Sequence, residues 1–308
     1  VHATHVLSAA VASITDLPTF IPSALAYGGV YAMAALGLVL IYRVSGVLNF
    51  AHGAVATVCA FVAYTFAVQL HYPSWVGLLA AIVTGCALGF IIEVLTIRPL
   101  TGRPAIVKVA VTIGWLLVLQ QLAGLIWGFT AYHNPIRLVG QEATFHVPFI
   151  PVPFGFDSLI VIGVALTLAG ATGWFLKSTT LGASMRAVSD DPRGARLWGI
   201  NVDRVTALSW MIGSAMAAVA GVLITPFITF TPFSLTLIVV NSFAAALIGR
   251  LQSLTLTVIG ALLLGLAQQV PAALGAGGTP NAQAVTFIAV LLALAILFRP
   301  GVQALRTV

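Results

Sequence analysis

Few polar side chains stand inside apolar stretches of this sequence, and two groupings hold most of the chemistry available there. The string RVSGVLNFAHG at 43–53 places Ser45, Asn49 and His52 between two long apolar runs. A polar group in such surroundings is costly unless it meets a partner or lines a water-filled cavity. Pathway lining and simple helix capping both fit these residues. Glu93 is the one acid inside an apolar run, and it stands five residues before Arg98. That spacing suits an ion pair whose arginine snorkels toward water. A proton relay would want a second buried acid, and none is visible.

Other chemistries lack their parts. Lys108 and Lys177 are the only lysines, and neither completes the G-x4-G-K-[ST] pattern that cradles nucleotide phosphates. The six histidines, His2, His5, His52, His71, His133 and His146, show no metal-ligand spacing. His2 and His5 at i, i+3 near the N-terminus do not make a site. Cys59 and Cys86 fall within apolar runs, which suggests neither a disulfide framework nor a metal centre. No Ser/His/Asp set or carboxylate pair is visible, so no catalytic residue is expected and an enzyme is disfavoured.

Charge is concentrated instead in one place. Residues 177–204, KSTTLGASMRAVSDDPRGARLWGINVDR, hold eight charged side chains, out of 13 Lys and Arg and 7 Asp and Glu in the chain. A charge at the centre of a membrane helix costs about 2.5–3.5 kcal/mol, so this segment must lie outside lipid. Residues 181–188 read as a short helix. Ser189 or Asp190 is expected to cap a second one running from Asp191 or Pro192 to Leu197. The pair would lie along the membrane face, with Leu181, Met185, Val188, Leu197 and Trp198 turned to a partner groove or to the bilayer.

These residues need elements to position them, and composition says which. The chain has 308 residues, 60% hydrophobic and 6% charged, with mean hydropathy +1.09. Soluble domains carry about 25% charged residues, so the fold class is an all-α polytopic membrane protein. Apolar runs cover 20–42, a stretch ending near 70, 75–97, 105–128, 158–176 and 205–229. Two shorter runs at 235–249 and 255–270 flank GRLQS, and a last run spans 284–298. Eight to nine crossings are expected in a single transmembrane domain over 1–308, with interrupted helices near 43–53 and 249–254. Both interruptions follow one pattern of apolar helix, Gly/Ser/Asn/Arg break and second apolar helix. They read either as tight turns or as broken helices on a transport pathway. Small residues such as Gly28, Gly29, Gly85, Gly89 and Gly213 allow close helix approach in lipid.

The net charge of +6 reflects basic residues at the ends of apolar runs, a positive-inside pattern rather than a nucleic-acid surface. Counting Lys and Arg puts Arg98, Arg103, Lys108, the 177–204 loop and the tail with Arg299 and Arg306 on the cytoplasmic side. The Pro- and Phe-rich loop at 129–157 then lies outside as a partly extended cap. The first residues carry no basic n-region, so a cleaved secretory signal is not expected.

Three blocks carry a resemblance to a known family: YAMAALGLVLIYRVSGVLNFAHG at 31–53, IEVLTIRPL at 92–100, and LGASMRAVSDDPRGARLWGINVDRV at 181–205. The chain is similar to the membrane permease subunits of bacterial ABC importers for branched-chain amino acids, over about 26–300. It looks like the shorter of the two permease types. The resemblance implies a non-catalytic, multi-pass subunit of the bacterial inner membrane that pairs with a second, related but non-identical permease chain. Two cytoplasmic ATPase subunits would hold ATP and Mg, with no cofactor on this chain. An extracytoplasmic solute-binding protein would deliver substrate. The ATPase-coupling residues would be Leu181, Gly182, Arg186, Ala187, Asp190, Asp191, Arg193, Gly199 and Asn201. The substrate pathway would involve Asn49, His52, Ser45, Gly53, Gly249 and Ser253. Two departures stand out: Ala54 replaces an acid that often follows N-F-A-H-G, and the second break reads LIGRLQSLT where the family is glycine-rich.

Other classes make different demands. A stand-alone secondary transporter or channel for a small polar solute such as urea or an amide would need buried titratable groups or a selectivity constriction. A pure scaffold would need no polar breaks within its spans.

Overall fold

The computed structural model of the chain describes residues 20–130, 136, 144–146, 153–229, 231–273, 284 and 288. The expected final run at 284–298, the basic tail, the N-terminal segment with His2 and His5, and most of the 129–157 loop lie outside the described residues, apart from those named. The described part is dominated by helices. In chain order they are α1 (Ile21–Ser45), α2 (His52–Tyr64, continued by a π turn over Thr65–Gln69) and α3 (Ser74–Ile92, continued by turns to Leu100). α4 (Ala105–Trp127), α5 (Phe156–Ser178), α6 (Thr180–Asp190) and α7 (Pro192–Leu197) follow. α8 (Val202–Leu223), α9 (Ser234–Ile248) and α10 (Leu254–Ala273) complete the set. Strands β1 (Thr144–His146) and β2 (Pro153–Gly155) form a small antiparallel hairpin in the 129–157 loop, pairing Phe145 with Phe154.

Among the described residues six stretches are long and apolar enough to cross a membrane: Ile21–Ser45, His52–Gln69, Ser74–Leu100, Ala105–Trp127, Phe156–Ser178 and Val202–Phe227. α9 and α10 contribute shorter apolar helices. α1 starts with Pro22 in its first turn, where the missing N–H costs nothing. It stops at Gly46, whose left-handed φ of 66° lets its N–H close on the Tyr42 carbonyl at 2.8 Å. Every residue from Gly28 to Ile41 is buried, so α1 is the central post. α8, α5, α9 and α10 pack on α1, and α8 also receives α2 and α3. α3, α4 and α5 turn residues such as Val83, Leu125 and Leu166 outward. Apolar side chains facing outward on peripheral spans are what lipid contact requires.

Glycine permits close crossings at the centre of the bundle. A Cβ on Gly37 of α1 would lie 2.6 Å from the Gly213 carbonyl oxygen of α8, and one on Gly213 would lie 2.8 Å from the Gly37 oxygen. The two backbones therefore touch. On the other side of α8, Gly85 and Gly89 of α3 lie against the Ser214 and Trp210 carbonyls. Dispersion at such contacts, not water exclusion, holds helices together in lipid. Gly213→Val is expected to force α1 and α8 apart at a cost of about 1–3 kcal/mol or more. Yield of detergent-stable protein in a heating series should fall accordingly, and unchanged stability would refute the contact.

One end of the bundle collects the charge. Every described Lys and Arg (Arg43, Arg98, Arg103, Lys108, Lys177, Arg186, Arg193, Arg196, Arg204 and Arg250) lies in the turns or helix ends grouped there, together with α6 and α7.

Candidate translocation route and coupling surface

The two breaks that look alike in sequence fold differently. After Gly46 the chain runs without regular structure through Asn49, and α2 begins only at His52. The His52 Nε2–H donates to the Ala34 carbonyl of α1 at 3.0 Å. Ala34 is 11 residues before Ser45, roughly 16 Å along α1 at 1.5 Å per residue. The link therefore descends into the bundle, and α2 starts at membrane depth. Thr112 of α4 holds the link through Leu48 O at 3.2 Å and Phe50 N at 3.3 Å.

Asn49 and His52 are sealed in this conformation, at 1% and 0% exposure. His52 packs its ring against Gly37. Its Nδ1, and both Asn49 amide atoms, meet no hydrogen-bond partner among the described residues. The same is true of Trp210 Nε1 and Ser214 Oγ on α8, which flank the Gly213 contact. Ser45 donates to Ile41 O at 2.7 Å and accepts from Val47 N at 3.3 Å, which finishes α1. The Gly53 carbonyl accepts from Thr57 Oγ1 at 2.9 Å within α2.

The second break is a tight turn at the charged end. Gln252 N–H closes on Gly249 O at 3.1 Å. Arg250 and Leu251 take φ of 54° and 56°, two consecutive left-handed residues as in a type I′ turn. Such turns ordinarily use Gly or Asn. Leu251 is retained here with its side chain buried among α1, α9 and α10 residues. Gly249 lies against Ser253 O and Thr257. Ser253 Oγ accepts from Leu256 N at 3.2 Å and caps α10.

A polar cluster that the sequence reading passed over joins α1, α9 and α10. Tyr31 donates through its hydroxyl to Gln268 Oε1, and Asn241 Nδ2 reaches the same oxygen at 3.5 Å. Tyr27 stands beside Tyr31 and donates to Phe227 O at 3.0 Å. The signal was available: Asn241 and Gln268 are amides inside otherwise apolar runs, and attention to charge alone overlooks them.

At the charged end, Glu93 and Arg98 form the ion pair that their spacing suggests, at 2.8 Å, with the carboxylate buried and the guanidinium 36% exposed. They line a cleft of about 480 Å3 between the end of α1, the α3–α4 turn, α7 and the start of α8.

The insert between α5 and α8 is built by three successive N-caps. Thr179 Oγ1 accepts from Gly182 N at 2.9 Å, Asp191 Oδ1 from Arg193 N at 2.9 Å, and Asn201 Oδ1 from Arg204 N at 3.0 Å. The cap of the second helix is thus Asp191, not Ser189 or Asp190. Only the residue directly before Pro192 is pushed to extended backbone, and α6 runs on through Asp190. Met185 and Val188 pack inward on α1, α5 and α8 residues instead of facing a partner, and Leu181 packs beside them. Gly182 sits directly on the α5 backbone at Phe175 and Leu176. Ala187 is half-buried, Arg186 turns into the bundle, and Asp190, Arg193 and Gly199 are at the surface. Leu197 and Trp198 project furthest, each 89% exposed. Gly199, at φ 79°, turns the chain directly after them.

Comparison with known proteins places this architecture. The family described as branched-chain amino acid transport system / permease component matches residues 20–297. The high-affinity branched-chain amino acid transport system permease protein LivH of Escherichia coli K12 is 30% identical over 290 residues, covering 90% of this chain and 94% of that protein. The corresponding permease protein BraD of Pseudomonas aeruginosa is 30% identical over 287 residues, covering 90% and 92%. A solved structure, PsaBC from Streptococcus pneumoniae in complex with Fab, shares the fold at a TM-score of 0.52 and 16% identity, over 92% of this chain and 94% of that one. With its multiple apolar spans and a match along nearly its whole length, the chain belongs to the branched-chain amino acid transport permease family and is a multi-pass membrane protein.

Proposed function

We propose that the chain is the membrane-spanning permease subunit of an ATP-driven importer for branched-chain or related amino acids in a bacterial inner membrane. Residues 1–308 then form one transmembrane domain of eight to nine crossings: the six long spans, α9, α10 and the apolar run at 284–298. The concentration of Lys and Arg supports placing the charged end in the cytoplasm, with the 129–157 loop outside. A second, related permease chain completes the route, and an extracytoplasmic solute-binding protein delivers substrate. Two cytoplasmic ATPases bind ATP and Mg and carry out hydrolysis. This chain holds no cofactor and performs no catalysis.

The observation that carries this reading is the contrast within the insert. Its helices are capped and packed as one body with α1, α5 and α8, while Leu197 and Trp198 stand almost fully exposed at its tip. An apolar tip on a rigid polar mount suits a groove on another protein. Movement of that partner would be transmitted to the spans, shifting the balance between two packings of the route. The descending link at Asn49 and His52 and the Tyr31–Asn241–Gln268 cluster are the polar groups at membrane depth from which such a route would be built.

Proteoliposomes containing this chain alone, or the complete set of partners, separate the readings. Labelled leucine should accumulate only with the complete set and only with ATP. Flux of urea or an amide through this chain alone would overturn the proposal in favour of a channel or carrier.

A further inference from the structure

A second cleft at the charged end has a composition that ATPase coupling does not explain. It encloses about 440 Å3 between the final turns of α1 and α5, helix α6 and the first turns of α10. Arg43, Lys177 and Arg186 form its polar end, and among the described residues no carboxylate lines it. Leu36, Leu176, Val258 and Ile259 form its apolar wall. A smaller cavity beneath is again lined by Arg43 and Arg186.

Among the described residues none of the three cations enters an ion pair, and Arg186 Nη1 is buried with no hydrogen-bond partner. Asp190, one turn along α6, is exposed and does not line the cleft. Arg43 and Lys177 beside the half-buried Arg186 guanidinium make three like charges that repel one another and leave a buried donor unsatisfied, so the arrangement calls for an anion. The apolar wall narrows the choice. Beside it the bundle presents Trp174, Ile259 and Leu166 outward, at 65%, 47% and 60% exposure. An exposed Trp beside a basic helix end marks the headgroup level of a bilayer.

We propose that this cleft binds an anionic phospholipid, its phosphate held by Arg186, Arg43 and Lys177 and its first acyl methylenes lying along Leu36, Val258 and Ile259. Basic pockets between spans at the cytoplasmic face suit such headgroups. The bound phosphate would tie α6 of the insert to the ends of α1 and α5.

The test is native mass spectrometry of the full chain in mild detergent, titrated with palmitoyl-oleoyl phosphatidylglycerol, phosphatidylcholine or inorganic phosphate. Phosphatidylglycerol should be retained in preference to phosphatidylcholine. Retention should weaken about fivefold for each cation removed, in Arg186→Met and in the pair Arg43→Gln with Lys177→Gln. Arg103→Gln, outside the cleft, should bind as wild type. Should Arg186→Met fail to fold, the Arg43 and Lys177 pair decides the matter. Equal retention of both lipids, variants that bind as wild type, or inorganic phosphate that displaces the lipid at equal concentration would overturn the proposal. So would loss of the lipid on assembly with the ATPases, which would mark the cleft as a protein contact.

Discussion

Leu197→Asp combined with Trp198→Ser is expected to leave the chain inserted and folded but unable to retain its ATPase subunits. Both side chains are 89% exposed, so neither contributes to the packing of this chain, and their loss should not lower its yield. At an interface the balance reverses. A buried aromatic anchor is worth about 2 kcal/mol or more, about thirtyfold in affinity, and an aspartate beside it leaves a charge unpaired in an apolar groove. The double substitution should therefore weaken ATPase binding by about a hundredfold or more, visible as loss of co-purification and of ATP-dependent uptake together. Asp190→Ala, at the surface of the same insert but away from the tip, should change co-purification far less. Retained assembly and uptake in the double variant would show that the tip is not the point of attachment. The placement of Arg186 sharpens this contrast. It faces the bundle between Arg43 and Met185, so reversing its charge would disturb the mount before it disturbed the partner.

How much of this was legible before the fold is best seen residue by residue. The apolar runs from 20–42 to 205–229 map onto the six long spans within a few residues because length and hydropathy alone decide whether a helix can cross a bilayer. Glu93 and Arg98 were legible because five residues of helix bring the two groups to the same end. Of the caps only one was expected, at Ser189 or Asp190, and it falls one or two residues later at Asp191 because α6 outlasts its expected end, while Thr179 and Asn201 were not singled out as caps. The two breaks were not separable. Both show a polar interruption between apolar helices, and what distinguishes them is tertiary. One link is drawn inward by a histidine bonding to a carbonyl on α1, and the other closes on itself within five residues. The direction of Arg186 and the meeting of Tyr31 with Asn241 and Gln268 depend on how helices are rotated about their axes. α1 is buried on every side from Gly28 to Ile41, so its sequence has no polar face from which that rotation could be read.

Asn49→Leu should make the folded chain more stable and at the same time abolish transport. In the conformation described, both amide atoms of Asn49 are buried and meet no protein partner among the described residues. A buried polar group left in that condition costs about 1–3 kcal/mol, and a leucine, branched at the same carbon though larger, removes that cost. The same stretch gathers further orphaned groups: His52 Nδ1 at the start of α2, and Trp210 Nε1 and Ser214 Oγ on α8. They flank the point where Gly37 and Gly213 bring the α1 and α8 backbones into contact. Helices meeting through glycines can shift without side chains interlocking, and a sealed set of unsatisfied donors and acceptors favours any packing that admits water or solute. Transport through this route would require a second packing of similar free energy, and Asn49 would be part of what keeps the two close. Leucine at this position would lower the closed state alone, shifting the balance by up to about a hundredfold for the 2–3 kcal/mol at the upper end of that range. Thermal unfolding in detergent should move upward while ATP-dependent uptake in proteoliposomes falls toward background with ATPase binding preserved. A variant that transports normally, or that loses stability, would show that Asn49 is satisfied in the working protein and that the link is a fixed structural element.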